Sequence, residues 1–264
     1  MVKDQPSIGL ALGSGGARGF AHIGVLEVFE EEGIPVDFIA GSSMGAVIGT
    51  LMALGRSADD LKQLAGLFRR KYYIDFTVPR MGLVSGKRLE ELFYMLTKGE
   101  MLENLDTPVT VVTTDLNSGE RVLFTDGSMA KALRASISIP GIFVPARYGD
   151  HLLVDGGVID RVPANVVTEM GADLVVAVDV SYFPETPSTS SIYDVIIQSM
   201  EIMARELVKA KKIEADILME PIVQANNAIV FDDTESLIQQ GREEALRQLP
   251  QIREKIEAWK GKRS

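Results

Sequence analysis

The residues best equipped for chemistry are a serine flanked by glycines and an aspartate followed by two more. Ser43 is the centre of Gly41-Ser42-Ser43-Met44-Gly45, a G-x-S-x-G pattern lying where an apolar run ends at Ala40 and a helical pattern begins. Such a turn strains the backbone of its central residue, and Gly41 and Gly45 remove the side chains that would clash. Ser43 then stands at a helix N-terminus, where the dipole favours negative charge developing nearby. The bland alternative is a small-residue turn between strand and helix.

A second glycine cluster, Gly13-Ser14-Gly15-Gly16-Ala17-Arg18-Gly19, separates the first apolar run from the first helical pattern. Consecutive glycines let backbone N–H groups turn toward an anion. A nucleotide phosphate is one candidate, but the dinucleotide fingerprint needs glycine where Arg18 stands, and no Gly-Lys-Ser/Thr follows. The oxyanion of an acyl-transfer intermediate is the other. A plain glycine turn with Arg18 capping a carboxylate is the third.

A serine nucleophile usually takes histidine as its base. The chain has two, His22 in the first helical pattern and His151 beside a hairpin turn, and neither follows the order of a conventional triad. Both read as structural. That leaves a carboxylate: Asp155-Gly156-Gly157 follows the apolar run Leu152-Leu153-Val154. Partial desolvation there would raise the pKa of Asp155 toward that of a working base. Taken alone, Asp-Gly-Gly is also an ordinary turn.

The elements that must position these groups alternate along the chain. Strands are expected at Ile8–Leu12, Val36–Ala40, Val109–Thr114, Arg121–Phe124, Val144–Tyr148, His151–Val154 and Leu174–Val180. Helices are expected at Ala17–Glu32, Met44–Leu54, Ala58–Lys71, Lys87–Thr97, Tyr193–Ile213 and Glu235–Trp259, with another begun by Pro163. On the helix at Tyr193, Met200 and Met203 share a face with Ile196 and Ile197 and read as core. This alternation implies a largely parallel sheet with helices on both faces, in one α/β domain over residues 1–264 with its core at about 8–250.

Composition narrows the function classes. The absence of cysteine excludes disulfides and thiolate chemistry and fits a reducing, cytoplasmic compartment. With 27 basic and 37 acidic residues, the net charge of −10 argues against general nucleic-acid binding. No apolar stretch is long enough to span a bilayer, and the first residues do not read as a signal peptide.

Together, in this order, the three motifs resemble those of the patatin-like phospholipase family, most closely its compact bacterial members. Residues 9–19 are similar to its oxyanion-hole segment, residues 41–45 to its nucleophile elbow and residues 155–157 to its aspartate motif. Ala135-Ser136-Ile137-Ser138-Ile139-Pro140-Gly141 also resembles the segment upstream of that aspartate, and the likeness runs from about Ile8 to about Leu249. The resemblance implies a three-layer patatin-like domain that cleaves fatty-acyl esters through a Ser43–Asp155 dyad and an acyl-enzyme. It implies an oxyanion hole from Gly15, Gly16 and Arg18, supporting roles for Gly13, Gly19, Gly41, Gly45, Gly156 and Gly157, and neither metal nor cofactor. One departure stands out: many relatives carry Asn-Pro where this chain has Asp160-Arg161.

The substrate so implied is a lipid or another acyl ester. Residues 66–88 hold Arg69, Arg70, Lys71, Arg80, Lys87 and Arg88 against Asp75, interleaved with Tyr72, Tyr73 and Phe76. The segment is a candidate for transient contact with an anionic membrane surface; a solvated loop with its aromatics packed inside is the alternative. Two other functions stay open, a regulatory protein on the same fold that acts by partner binding, and a nucleotide binder using residues 13–19. Oligomeric state is not readable.

Overall fold

The structure, a computed structural model, describes residues 5–66, 81–183, 189, 191–210, 212–222 and 233–261. Its strands are β1 (Ile8–Leu12), β2 (Phe38–Ser42), β3 (Gly82–Val84), β4 (Val109–Asp115), β5 (Arg121–Phe124), β6 (Gly141–Phe143), β7 (Ala146–Tyr148), β8 (His151–Asp155), β9 (Leu174–Val178) and β10 (Ile217–Met219). The α-helices are α1 (Ala21–Glu31), α2 (Met44–Ala53), α3 (Ala58–Ala65), α4 (Lys87–Leu96), α5 (Met129–Ser136), α6 (Ala164–Glu169), α7 (Ile192–Ala210) and α8 (Thr234–Gly261).

The main sheet runs in the order β10-β9-β1-β2-β4-β8-β7, with β5 also pairing to β4. Strands β10, β9, β1, β2 and β4 are mutually parallel, whereas β5, β7 and β8 are antiparallel additions. Helices cover both faces, as the alternating pattern requires, but unequally. Leu10, Leu12, Ile39, Val111, Val176 and Val178 point into a large core shared with α1 and α2. Their sequence neighbours Ala11, Ala40, Val112, Val175 and Ala177 point to the other face, against Val166 and Val167 of α6. Period-2 alternation of large and small apolar residues thus makes one thick layer and one thin layer.

Register then sets the site. On β4, Val112 pairs with Ser42 of β2 and the next residue, Thr113, pairs with Asp155 of β8. Two consecutive residues of one strand therefore bring the ends of β2 and β8 side by side. Leu12 pairs with both Gly41 and Val178, so the glycine loop after β1 emerges at the same edge. Parallel sheets place their ligand crevices at such carboxyl ends.

Several boundaries differ from expectation for identifiable reasons. The segment expected as one helix at Ala17–Glu32 is entered through a 3-10 turn at Gly16–Phe20, whose first residue, Gly16, has a left-handed φ of 57° that glycine accommodates, and α1 follows. The strand expected at Val144–Tyr148 is broken by Pro145, which has no N–H to pair. β7 begins after it, and β6 upstream pairs instead with β3. Helix α5 and strands β3, β6 and β10 were not anticipated; the three strands have three residues each, too few to show a period. The basic-aromatic stretch proposed for membrane contact lies largely outside the described residues, which omit 67–80.

Helices α1 and α8 cross in backbone contact. A Cβ on Gly24 would lie 1.9 Å from the Ile238 carbonyl oxygen, and one on Gly241 would lie 1.9 Å from that of Ala21. Backbone oxygens cannot step aside as a flexible side chain can. Gly24→Val is therefore expected to lower unfolding free energy by about 3 kcal/mol or more, read from the urea midpoint. An unchanged midpoint would mean that the helices are free to separate.

Candidate active site

Ser43 follows β2 directly and opens α2 with φ 54° and ψ −123°, one of two non-glycine residues at positive φ among those described. Such a backbone persists only where its surroundings over-determine it. Here the approach of chain segments does so: a Cβ on Gly45 would lie 2.1 Å from the Leu12 carbonyl oxygen. Gly41 is equally confined, its Cβ position 2.4 Å from Ala46 Cα. The Ser43 amide donates to Ser136 Oγ at 2.9 Å, and that hydroxyl donates on to the Val112 carbonyl at 2.7 Å. Ser136 thus pins the strained turn to β4. Sequence reasoning noted the stretch around Ser136 but gave this residue no role.

The Ser43 hydroxyl donates to Asp155 Oδ2 at 2.6 Å. The other carboxylate oxygen, Oδ1, accepts the Gly157 amide at 2.7 Å, which fixes the plane of the group. Thr114 Oγ1 donates to the Asp155 carbonyl at 3.0 Å, and the Asp155 amide donates to the Ser138 carbonyl at 3.0 Å. Asp155 is only 3% exposed. Burial pushes its carboxyl up to about 6, against the opposing pull of hydrogen bonds from Ser43 and Gly157 and of the Arg161 charge. The carboxyl is therefore largely ionised at pH 7, yet titrates close to it.

Gly13 and Ser14 anchor the glycine loop through their amides, to the Val178 carbonyl at 3.0 Å and the Arg161 carbonyl at 2.9 Å. The Gly15 and Gly16 amides make no hydrogen bond among the described residues, and both glycines line the same cavity as Ser43 and Asp155. Gly19 packs on Met44, and Gly156 and Gly157 bring the turn after β8 against Val112 and Ser14.

Arg18 takes the carboxylate-capping place weighed for it and not one at the cavity wall. Its guanidinium donates to the Tyr182 carbonyl at 2.8 Å, to Glu201 and to the Gly15 carbonyl at 3.3 Å, and its amide also goes to Gly15. It is not among the residues lining the cavity. The physical reason is that a buried guanidinium must satisfy its donors, and the Tyr182 carbonyl, the Glu201 carboxylate and the Gly15 carbonyl take them up.

His22 is fully buried beneath the loop, and its Nε2 donates to the Gly13 carbonyl at 2.8 Å. Desolvation lowers its pKa to about 4, which keeps it neutral. His151 pairs with Asp115 at 3.1 Å, on the hairpin. Neither histidine is bonded to Ser43.

The cavity is about 430 Å³. Around the Ser43–Asp155 pair its wall is chiefly apolar, formed by Val47, Leu89, Phe93, Ile139, Phe143 and the inner face of α7. The methionines of α7 are not core, contrary to the helical-face reading. Met200 and Met203 both line the cavity, and Met203 and Leu207 are 58% and 51% exposed. The helix carries apolar residues on more than one face, which a core assignment cannot separate from a cavity wall. No helix of the described residues is long and apolar enough to cross a membrane.

Comparison with known proteins adds a family. The family model described as patatin-like phospholipase matches residues 10–168, more than half of the chain. An uncharacterized NTE family protein of Mycobacterium tuberculosis is 36% identical over 205 residues, covering 77% of this chain and 57% of the relative. Patatin-like phospholipase domain-containing protein 6 of Homo sapiens is 37% identical over 188 residues, covering 68% of this chain and 14% of that protein. The chain thus spans well under two thirds of the length of either relative. Among solved structures, VipD from Legionella pneumophila superposes with a TM-score of 0.54 at 16% identity, over 94% of this chain and 67% of that one. The type III effector ExoU gives 0.53 at 16% identity, over 93% and 53%. At that identity the likeness is one of fold.

Proposed function

The chain belongs to the patatin-like phospholipase family, and on that premise we propose that it hydrolyses fatty-acyl esters of lipids with Ser43 as nucleophile and Asp155 as base. The observation that carries the reading is the 2.6 Å contact between Ser43 Oγ and Asp155 Oδ2 at one end of a largely apolar cavity. An acyl chain in that cavity brings its ester carbonyl to Ser43. Asp155 takes the hydroxyl proton as Oγ bonds to the carbonyl carbon. The oxygen that becomes negative is received by the Gly15 and Gly16 amides, each such donor being worth roughly 10²–10³ in rate. Collapse expels the alcohol, which recovers the proton from Asp155. Water then repeats the sequence and releases the fatty acid.

The nucleotide reading is weaker on the same geometry. A phosphate in the loop would sit beside the Asp155 carboxylate, while the cations close by, Arg18 and Arg161, are both bound to Glu201. Residues 8–250 acting as one hydrolase domain, and a cytoplasmic site of action for this cysteine-free chain, are part of the proposal.

Asp155 must be ionised to accept a proton. The value of kcat/KM is accordingly expected to rise with pH through an apparent pKa of about 6, as Asp155 itself does. A flat profile from pH 5 to pH 8 would remove Asp155 as the base. The chemistry itself is tested with an alkyl fluorophosphonate: it should attach to Ser43 and stop hydrolysis of p-nitrophenyl butyrate in parallel. Inhibition with the label elsewhere would refute the assignment.

A further inference from the structure

Among the buried charges that the mechanism above leaves unused, one cluster adjoins the cavity. Glu201, on the cavity-facing side of α7, bridges two arginines: its carboxylate binds Arg18 Nη2, and it accepts Arg161 Nη2 at 3.1 and 3.2 Å. The three side chains are nearly inaccessible, at 4% for Arg18, 8% for Arg161 and 13% for Glu201. Arg18 is in the 3-10 turn that follows Gly15, and its Nε also holds the Gly15 carbonyl. Arg161 is on the loop that leaves Asp155, and its carbonyl accepts the Ser14 amide. Arg161 is half of the Asp160-Arg161 departure from the family motif. Its other half, Asp160, is taken up by Arg121 at 2.6 Å.

The electrostatics make the arrangement conditional. Two guanidinium groups buried together repel, and each lowers the tolerance of the site for the other. The fixed anion behind them, Asp179, is engaged by Ser181, to which Arg161 Nε donates at 2.7 Å. Glu201 is the carboxylate that touches both arginines. Without it, two like charges face each other between the loop carrying the Gly15 and Gly16 amides and the loop carrying Asp155.

We propose that Glu201 is a positioning residue: by bridging Arg18 and Arg161 it fastens the α7 wall of the cavity onto the two loops that supply the oxyanion amides and Asp155. The proposal rests on the hydrolase reading for its catalytic consequence, and on geometry alone for the fastening. Seating of α7 over an acyl chain and alignment of the two loops are then one event.

Removing the charge should also be felt at Asp155. That group meets Ser43 from α2, Ser14 from the glycine loop, Thr114 from β4 and the Ser138 carbonyl beyond α5, none of which titrates in this range. Arg161 is the charged group acting on it, with Glu201, Arg18 and Asp179 behind and His22 neutral below the loop. Glu201→Gln leaves the Arg161 charge less balanced, so Asp155 ionises more readily. The acid limb of kcat/KM then moves to lower pH.

The test compares the wild type with Glu201→Gln and with Glu201→Asp, which keeps the charge but is too short to hold both arginines. Hydrogen exchange is followed in peptides covering residues 13–20, 155–162 and 192–207, and the pH profile is measured with Ser43→Ala as control. In Glu201→Gln, faster exchange is expected in all three peptides, with kcat down by about 10–100-fold, KM little changed and the acid limb at lower pH. Glu201→Asp is expected to lose part of kcat with the limb in place, and it serves alone if Glu201→Gln does not fold. Faster exchange confined to residues 192–207, or wild-type exchange in both loops, overturns the proposal. Activity that survives Ser43→Ala sinks the hydrolase reading instead, and the exchange data still decide the fastening.

Discussion

Asp155→Asn is expected to lower kcat/KM by at least about 10³-fold and yet to leave the protein folded and, at pH 8, no less stable. The first half follows from the proposed mechanism, since an amide cannot take the Ser43 proton. The second follows from burial. The folded-state pKa of Asp155 is about 6, above its ordinary value of 3.8. The stability this group contributes is therefore full below about pH 4 and lost as pH rises through 6. At pH 8 its buried charge costs up to about 3 kcal/mol, because each tenfold change in proton affinity on folding is worth about 1.4 kcal/mol. Asparagine fills the same space without that charge. The stability difference between variant and wild type, from urea unfolding, should favour the variant at pH 8 and shrink toward pH 4. A variant uniformly less stable across that range would mean that the carboxylate is a structural anchor. Near-normal turnover would mean that another group is the base.

Ser43→Ala is expected to be more damaging still, with kcat/KM lower by about 10⁴-fold or more, as for other nucleophilic serines. The apolar part of the cavity wall is untouched by the change, so affinity for a non-hydrolysable acyl ether should remain within a few-fold of the wild type. The two measurements together separate catalysis from binding. Loss of both would mean that the elbow has collapsed, which the Ser136 link to the Ser43 amide makes readable as a loss of thermal stability. Retained turnover would remove Ser43 from the chemistry.

The parts of this site that could be read from sequence are those where backbone crowding dictates residue type. Gly41 and Gly45 announce the elbow because chain segments pass within van der Waals distance of them. Asp155 ends an apolar strand and precedes two glycines that let its turn approach Ser14 and Val112, but alone it reads as a turn, and the misplaced histidines and the family resemblance singled it out. The layered fold was legible through the alternation of short apolar runs with helix-period segments, whereas the alternation of large and small residues in β1, β2, β4 and β9 that makes its two faces unequal was not read. What was not legible depends on partners far along the chain. Ser136 is an ordinary serine until α5 brings it 2.9 Å from an amide 93 residues away. The resemblance made Arg18 an oxyanion donor, whereas capping of a carboxylate was the alternative; which carboxylate was not readable, because Glu201 and the Tyr182 carbonyl come from far along the chain. Met203 looked like core because apolarity alone does not distinguish packing from lining a cavity.

The acyl-enzyme itself gives the most direct test. The protein is mixed with p-nitrophenyl butyrate, quenched within the first turnovers and digested, and the peptide carrying Ser43 is weighed. The account predicts an initial burst of p-nitrophenol, a butyryl adduct on Ser43, and neither in Ser43→Ala. A butyryl adduct on any other residue, or release of p-nitrophenol by Ser43→Ala at the wild-type rate, would contradict it.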